Sequence, residues 1–271
     1  MSNESQPEPI SKKVVLYQIP GMENVTVTRD VEYGIADDGP LTMDLYYPPG
    51  ALRGARLPAL ILVAGYPDLG VQKVLNCKFK EMGSSVSLCR LAAASGLVGI
   101  AYSNREPTAD VHKLLRHLQD NAASLGIDAN RLGVWASSGN VPLALSVLMQ
   151  ESADHLKCAV LCYGFMLDLD GHTSVAHAAT QWRFVNPCAG RTVDDLPRDL
   201  PMLIVRAGQD EFAGLNATID RFLASALSRN LPVAFVNHPE APHAFDLMHD
   251  SEATRRTIRL MLEFLRIHLL D

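Results

Sequence analysis

The chain has 271 residues, of which 48% are hydrophobic and 20% charged, and a formal net charge of −6. That length suits one large α/β domain with a substantial core. The acidic balance argues against a nucleic-acid partner, which would need a basic patch, and the lack of any run of 18 apolar residues argues against a membrane span.

The first ten residues, Met1 to Ile10, are polar and acidic and lack the basic start and apolar centre of a secretion signal. Residues 1–15 therefore read as a disordered or extended lead-in, and residues 16–271 as a single domain. Val25 to Tyr33 and Leu41 to Tyr47 alternate like paired antiparallel strands, joined by a turn from Gly34 to Pro40. After Pro48 the pattern becomes strand, helix, strand, repeatedly. Such a rhythm implies an α/β fold with a mostly parallel sheet and helices on both faces, preceded by the antiparallel N-terminal pair.

Leu57 to Val63 reads as a core strand, followed by Ala64-Gly65-Tyr66-Pro67-Asp68. A glycine at 65 lets the backbone approach a ligand. The N–H of Tyr66 can donate to a developing oxyanion, whereas Pro67 has none to give. Tyr66 could instead offer its phenol hydroxyl or line a pocket, and an ordinary strand-to-loop turn would use the same residues. Asp68 to Ser87 then forms a long interruption.

Arg131 to Pro142 is the most informative stretch. Leu132 to Trp135 reads as a buried strand, Ala136 to Gly139 as a run of small residues, and Val141 to Met149 as a helix. A serine on so sharp a strand-to-helix turn is raised above the sheet edge, with a helix N-terminus aimed at whatever lies over it. The turn favours small residues two positions either side of the nucleophile. Ser138 has Ala136 and Asn140 there, and Ser137 has Trp135 and Gly139. An indole is hard to fit in that bend and is better placed finishing the strand, so Ser138 is the expected nucleophile, with the N–H of Gly139 as second oxyanion donor. Asn140 departs from the usual glycine. Pro142 falls in the first helical turn, where a missing N–H breaks no bond. Packing alone could also explain a strand-turn-helix of small residues.

A serine hydroxyl needs a base and a carboxylate to orient that base, here in the order Ser, Asp or Glu, His. Lys157 to Tyr163 is a strand-like run carrying Cys158 and Cys162 on one face. Residues 166–200 break the rhythm. We expect Met166 to Phe184 to form a short flap over Ser138, with Phe165 and Trp182 as apolar walls; a surface excursion anchored by the tryptophan is the alternative. Pro201 to Gly208 is another buried strand, and Asp210 lies in the loop after it. Pro232 to Val236 leads to His243, just before a helix. Glu211 and His238 are the competing acid and base, and Asp210 could merely cap a helix. His112, His117, His155, His249 and His268 read as surface or packing residues. Glu252 to Leu270 carries Ile258, Met261, Leu262, Leu265 and Leu269 at helical spacing, which predicts a closing amphipathic helix.

Together these segments resemble the α/β-hydrolase superfamily, and within it the dienelactone hydrolase-like and carboxylesterase branch. Thr42 to Pro48 is similar to an early strand of that branch, and Ser87 to Tyr102 to its helix, glycine turn and next strand. Asp110 to Leu125, with Gly126 to Arg131, is similar to the helix leading into the nucleophile strand. In that family the nucleophile follows the arginine by seven residues, which falls on Ser138. The resemblance runs from about residue 25 to the C-terminus and implies an α/β-hydrolase fold. Besides Asn140, the oxyanion loop lacks the His-Gly-Gly run of many lipases. Dienelactone hydrolases carry a cysteine nucleophile, so a serine here implies esterase chemistry.

The expected protein is thus a cofactor-free serine hydrolase acting on small-molecule carboxylic esters with small to medium acyl chains. Ser138, Asp210 and His243 would be catalytic, Tyr66 and Gly139 the oxyanion donors, and Gly65, Phe165 and Trp182 substrate-binding. Lactone hydrolysis or acyl transfer on the same residues, or a non-catalytic ligand-binding member of the fold, are the rivals. No metal is expected: five cysteines match no zinc spacing, and His172 and His177 suit no common ligand pair. Reduced thiols fit a cytoplasmic protein. The sequence leaves a homodimer open.

Overall fold

The alternation near the start of the chain becomes a long antiparallel ribbon in the computed structural model, which describes residues 8–52, 54–150 and 153–270. Strands β1 (Thr26–Ala36) and β2 (Gly39–Tyr47) pair from Thr26↔Tyr47 to Ala36↔Gly39. The expected seven-residue turn is therefore only Asp37-Asp38, because Gly39, at φ 133, lets the chain reverse tightly. Shifts in register after Thr28 and Glu32 mark bulges in β1.

Among the described residues eight strands form one sheet in the order β1-β2-β4-β3-β5-β6-β7-β8. The parallel part comprises β3 (Leu57–Leu62), β4 (Val98–Tyr102), β5 (Ile127–Ser137), β6 (Leu156–Cys162), β7 (Met202–Ala207) and β8 (Val233–His238). β2 joins it by antiparallel pairing with β4. Successive side chains of a buried strand face opposite layers, and both must be covered. Ile61 and Val134 face a layer containing α3 (Pro107–Asp120), α4 (Val141–Leu148), α5 (Ser174–Trp182) and α6 (Leu215–Ser228). Leu60, Leu62 and Trp135 face the other, with α2 (Gly83–Ala94) and α8 (Glu252–Leu269). The five spaced apolar residues of α8 are all buried there. This is the expected arrangement, a mostly parallel sheet with helices on both faces.

Two expectations change in detail. The interruption after Asp68 contains helix α1 (Asp68–Leu75), a 3-10 turn at Phe79–Glu81 and the start of α2. Leu69 and Val74 of α1 face solvent, so that helix leaves no inward periodicity in the sequence. Residues 1–7 of the expected lead-in lie outside the described residues, whereas Val15 is buried and its N–H donates to Ser87 Oγ. The N–H of Leu16 donates to the carbonyl of Asp246. All five cysteines are free, and Cys158 and Cys162 pack in the layer under α8. No helix among the described residues is long and apolar enough to cross a membrane.

Candidate active site

The loops that leave the C-terminal ends of the parallel strands β3 to β8 meet at one rim of the sheet, where open α/β sheets gather functional groups. β5 ends at Ser137 in an extended conformation, and Ser138 enters the left-handed region at φ 57. That conformation is uncommon for a residue with a side chain, and here it turns the hydroxyl away from the sheet. A 3-10 turn, Ser138–Asn140, leads into α4, whose first turn contains Pro142.

The three expected side chains come together. Ser138 Oγ lies 2.9 Å from His243 Nε2, and His243 Nδ1 lies 2.6 Å from Asp210 Oδ2. The Asp210 side chain is wholly buried and its Oδ1 also accepts the N–H of Phe212, which fixes its rotamer. The competing residues are elsewhere. Glu211 is exposed, and His238 is buried with its Nε2 on Thr254 of α8. Burial holds the His238 imidazole below its ordinary value.

The loop after β3 is fastened to the serine turn. Asn140 Oδ1 accepts the N–H of Gly65 at 2.7 Å, and its Nδ2 donates to the carbonyl of Ser137. A β-carbon built on Gly65 would lie 2.9 Å from the carbonyl oxygen of Gly139, so only glycine permits this approach. The carbonyl of Gly65 in turn accepts the N–H of Val185, so both its polar backbone groups serve internal bonds. Asn104 Nδ2 donates to the carbonyls of Ala64 and Tyr66, and Asp68 takes the N–H groups of Asn104 and Phe79. Burial pushes the Asp68 carboxyl up.

Tyr66 reaches back over the turn. A β-carbon on Gly139 would collide with the Tyr66 hydroxyl and lie 2.5 Å from the Phe184 ring. Burial pushes the Tyr66 phenol up, while its hydrogen bonding with Ser138 and with the Gly139 N–H acts against it. The hydroxyl thus sits beside the two groups that a substrate carbonyl must meet.

Phe165 is buried and stacks on Phe184, with centroids 5.6 Å apart. Trp182 is 47% exposed and meets Phe212 edge-on, and Phe212 lies 4.3 Å from the His243 ring. Phe165, Trp182 and Phe212 line an open trough of about 640 Å³, with His177, Gln181 and Glu211 on its polar side, and Phe212 stands between it and the His243 ring. Met166, Leu167, Leu169 and Val175 are buried, so the segment expected to be a flap carries α5 and packs as a wall of the trough. Sequence reasoning missed Asn104, Asp68, Phe184 and Phe212. The nearest signal was the placement of Asn104 and Asp68 at the ends of apolar runs.

No family model and no curated protein matches the chain. Solved structures do. Esterase 2 of Thermogutta terrifontis, phosphonylated by sarin, superposes with a TM-score of 0.67 at 19% identity, covering 92% of this chain and 96% of that one. A bacterial heroin esterase gives 0.69 at 16% identity, over 94% of this chain and 87% of its own. Esterase LipW of Mycobacterium marinum gives 0.64 at 18% identity, over 91% and 83%. Over nearly its whole length the chain shares the fold of these esterases, and the expected α/β-hydrolase fold is the one observed.

Proposed function

We propose that the chain is a serine hydrolase that cleaves carboxylic esters of small molecules through an acyl-enzyme. The observation that carries this reading is the hydrogen-bonded line Ser138–His243–Asp210 at the rim of the parallel strands. His243 Nε2 takes the proton of Ser138 as its oxygen attacks the ester carbonyl, and Asp210 holds the Nδ1 proton and the ring orientation. Charge then develops on the former carbonyl oxygen. The N–H groups of Gly139 and Tyr66 receive it, together with the Tyr66 hydroxyl beside them. His243 returns its proton to the leaving alcohol. Water, deprotonated by the same imidazole, attacks the acyl-enzyme, and the acid leaves as Ser138 recovers its proton.

The three similar solved structures are all esterases, and one has been phosphonylated by sarin, which supports this chemistry over the rivals. A nucleophilic serine also favours the esterase side of the dienelactone hydrolase-like resemblance. One domain spanning residues 16–271 would hold the site, with residues 166–200 forming the wall that receives the acyl chain against Phe165 and Trp182. Five free cysteines fit a cytoplasmic location.

The test is labelling with a fluorophosphonate, with Ser138→Ala and Ser137→Ala as variants, alongside a panel of esters, lactones and amides. Ser138→Ala is expected to lose labelling and about 10⁴-fold or more in kcat, whereas Ser137→Ala keeps labelling. Undiminished labelling of Ser138→Ala would remove the assignment.

A further inference from the structure

A second buried carboxyl lies behind the imidazole of His243, outside the hydrogen-bonded line. Asp246 belongs to α7 (Phe245–Met248) and is 7% exposed. Its Oδ1 accepts a hydrogen bond of 2.6 Å from the hydroxyl of Tyr163, and the ring of Tyr163 meets the His243 ring edge-on at 5.0 Å between centroids. Tyr163 follows β6 directly at φ 35, an uncommon conformation for a residue with a side chain, and its N–H is fixed to the carbonyl of Val205. Phe212 covers the imidazole from another side. Asp246 is also held through its main chain, since its carbonyl accepts the N–H of Leu16. One tyrosine therefore touches the proposed base with its ring and the buried carboxyl with its hydroxyl.

A buried carboxylate is costly unless a cation or several donors face it. Among the described residues the groups coupled to Asp246 by charge are His243, the Cys162 thiol and the Tyr163 phenol, and no lysine or arginine is among them. Burial pushes the Asp246 carboxyl up, and the Tyr163 hydroxyl, the backbone N–H of Asp246 itself and His243 act against that. In the proposed reaction His243 carries a positive charge while each tetrahedral intermediate exists. The cation that Asp246 lacks at rest thus arises during turnover.

We propose that Tyr163 and Asp246 are a positioning pair for His243, in which Tyr163 sets the attitude of the ring and Asp246 stabilises the imidazolium. This rests on the serine-hydrolase reading. The groups in contact with the imidazole are Asp210 and Phe212 from the loop after β7, Ser138 from the serine turn and Tyr163 just after β6, while Asp246 of α7 acts on it by charge and the neighbouring Glu211 is exposed. Cys162 of β6 also faces Asp246, while His238 and His249 lie beyond Phe245. Removing the charge at 246 favours the neutral ring, so the base stays free to lower pH. The acid limb of the kcat/KM profile must then move down in pH.

Asp246→Asn and Tyr163→Phe test this on a short-chain ester, with kcat/KM measured across pH and the Ser138 fluorophosphonate labelling rate measured in parallel. In Asp246→Asn the acid limb is expected to fall by about half a pH unit or more, with kcat lowered about tenfold. In Tyr163→Phe the buried carboxyl loses its donor and is driven towards its protonated form, so the limb moves the same way. An unchanged acid limb in the folded variants, even with slower turnover, overturns the proposal and leaves a packing role only. If Asp246→Asn does not fold, Tyr163→Phe alone decides by the same criterion. Loss of the underlying reading would look different, because the parent protein itself would then fail to label.

Discussion

Asn140 is the departure from the usual strand-turn-helix pattern, and its contacts explain why this site accepts it. At 5% exposure it joins the serine turn to the oxyanion loop, with Oδ1 on Gly65 N–H and Nδ2 on Ser137 C=O. A glycine there would leave both groups without these partners. Asn140→Ala should therefore destabilise the protein by about 1–3 kcal/mol, the cost of an unsatisfied buried donor, and lower kcat more than it raises KM. Thermal unfolding and steady-state kinetics on one short ester check both, and a kcat equal to the parent's would show that the loop holds its place without this tether. Ser138, Asp210 and His243 were legible because strand ends and chain order constrain them jointly. The fastening residues were not. Asn104 lies 36 positions from Asp68 and Tyr163 lies 83 from Asp246, so no local pattern relates the partners.

At the level of elements, the segment between α1 and α2 shows how a stretch with loop-like sequence can carry a core interaction. Lys80, in the 3-10 turn Phe79–Glu81, is 2% exposed, and its ammonium lies 2.6 Å from both Asp30 and Asp44. Asp30 stands in the bulge of β1 at φ 54 and Asp44 in β2, so one side chain ties the antiparallel ribbon to the loop beyond the oxyanion segment. No periodicity could announce a lysine that points inward. Lys80→Ala leaves Asp44 buried with Arg29, at 3.5 Å, as its only cation among the described residues, and should cost about 3–5 kcal/mol. The pH dependence follows from the shifts. The hydrogen bond from Lys80 lowers Asp30 below 3.8, so that contribution is present above about pH 4 and lost as pH falls through the folded value. Burial pulls the Lys80 ammonium down, but the bonds to Asp30 and Asp44 more than offset it and leave it above 10.5, so its contribution is lost as pH rises through that raised value. Denaturant unfolding should therefore show the gap between parent and variant widest from about pH 4 to 10, and narrowing on either side. A gap constant across that range and beyond would assign the effect to packing.

Across the whole molecule the sheet was readable as mostly parallel because buried parallel strands are short apolar runs that alternate with helices along the chain, whereas the crossover that puts β4 between β2 and β3 left no such mark. What stayed hidden is how the chain's first described residues meet its last loop. Val15 is buried between Ser87 of α2 and the neighbourhood of α7, and the next residue bonds to the carbonyl of Asp246, three positions after His243. The segment precedes β1 and adds nothing to the sheet, so its packing bears on the two ends of the fold without altering the middle. Val15→Ala removes two methyl groups from a filled site and should cost about 1–2 kcal/mol. If the contact with Asp246 couples the two ends, the loss will not be spread evenly. Amides in residues 243–248 should exchange hydrogen faster by mass spectrometry, while those of β5 and β6 keep the parent's protection relative to global stability. Equal acceleration in all three would mean that the segment stabilises the fold as a whole and leaves the loop carrying His243 to be fixed by Tyr163 and Asp210 alone.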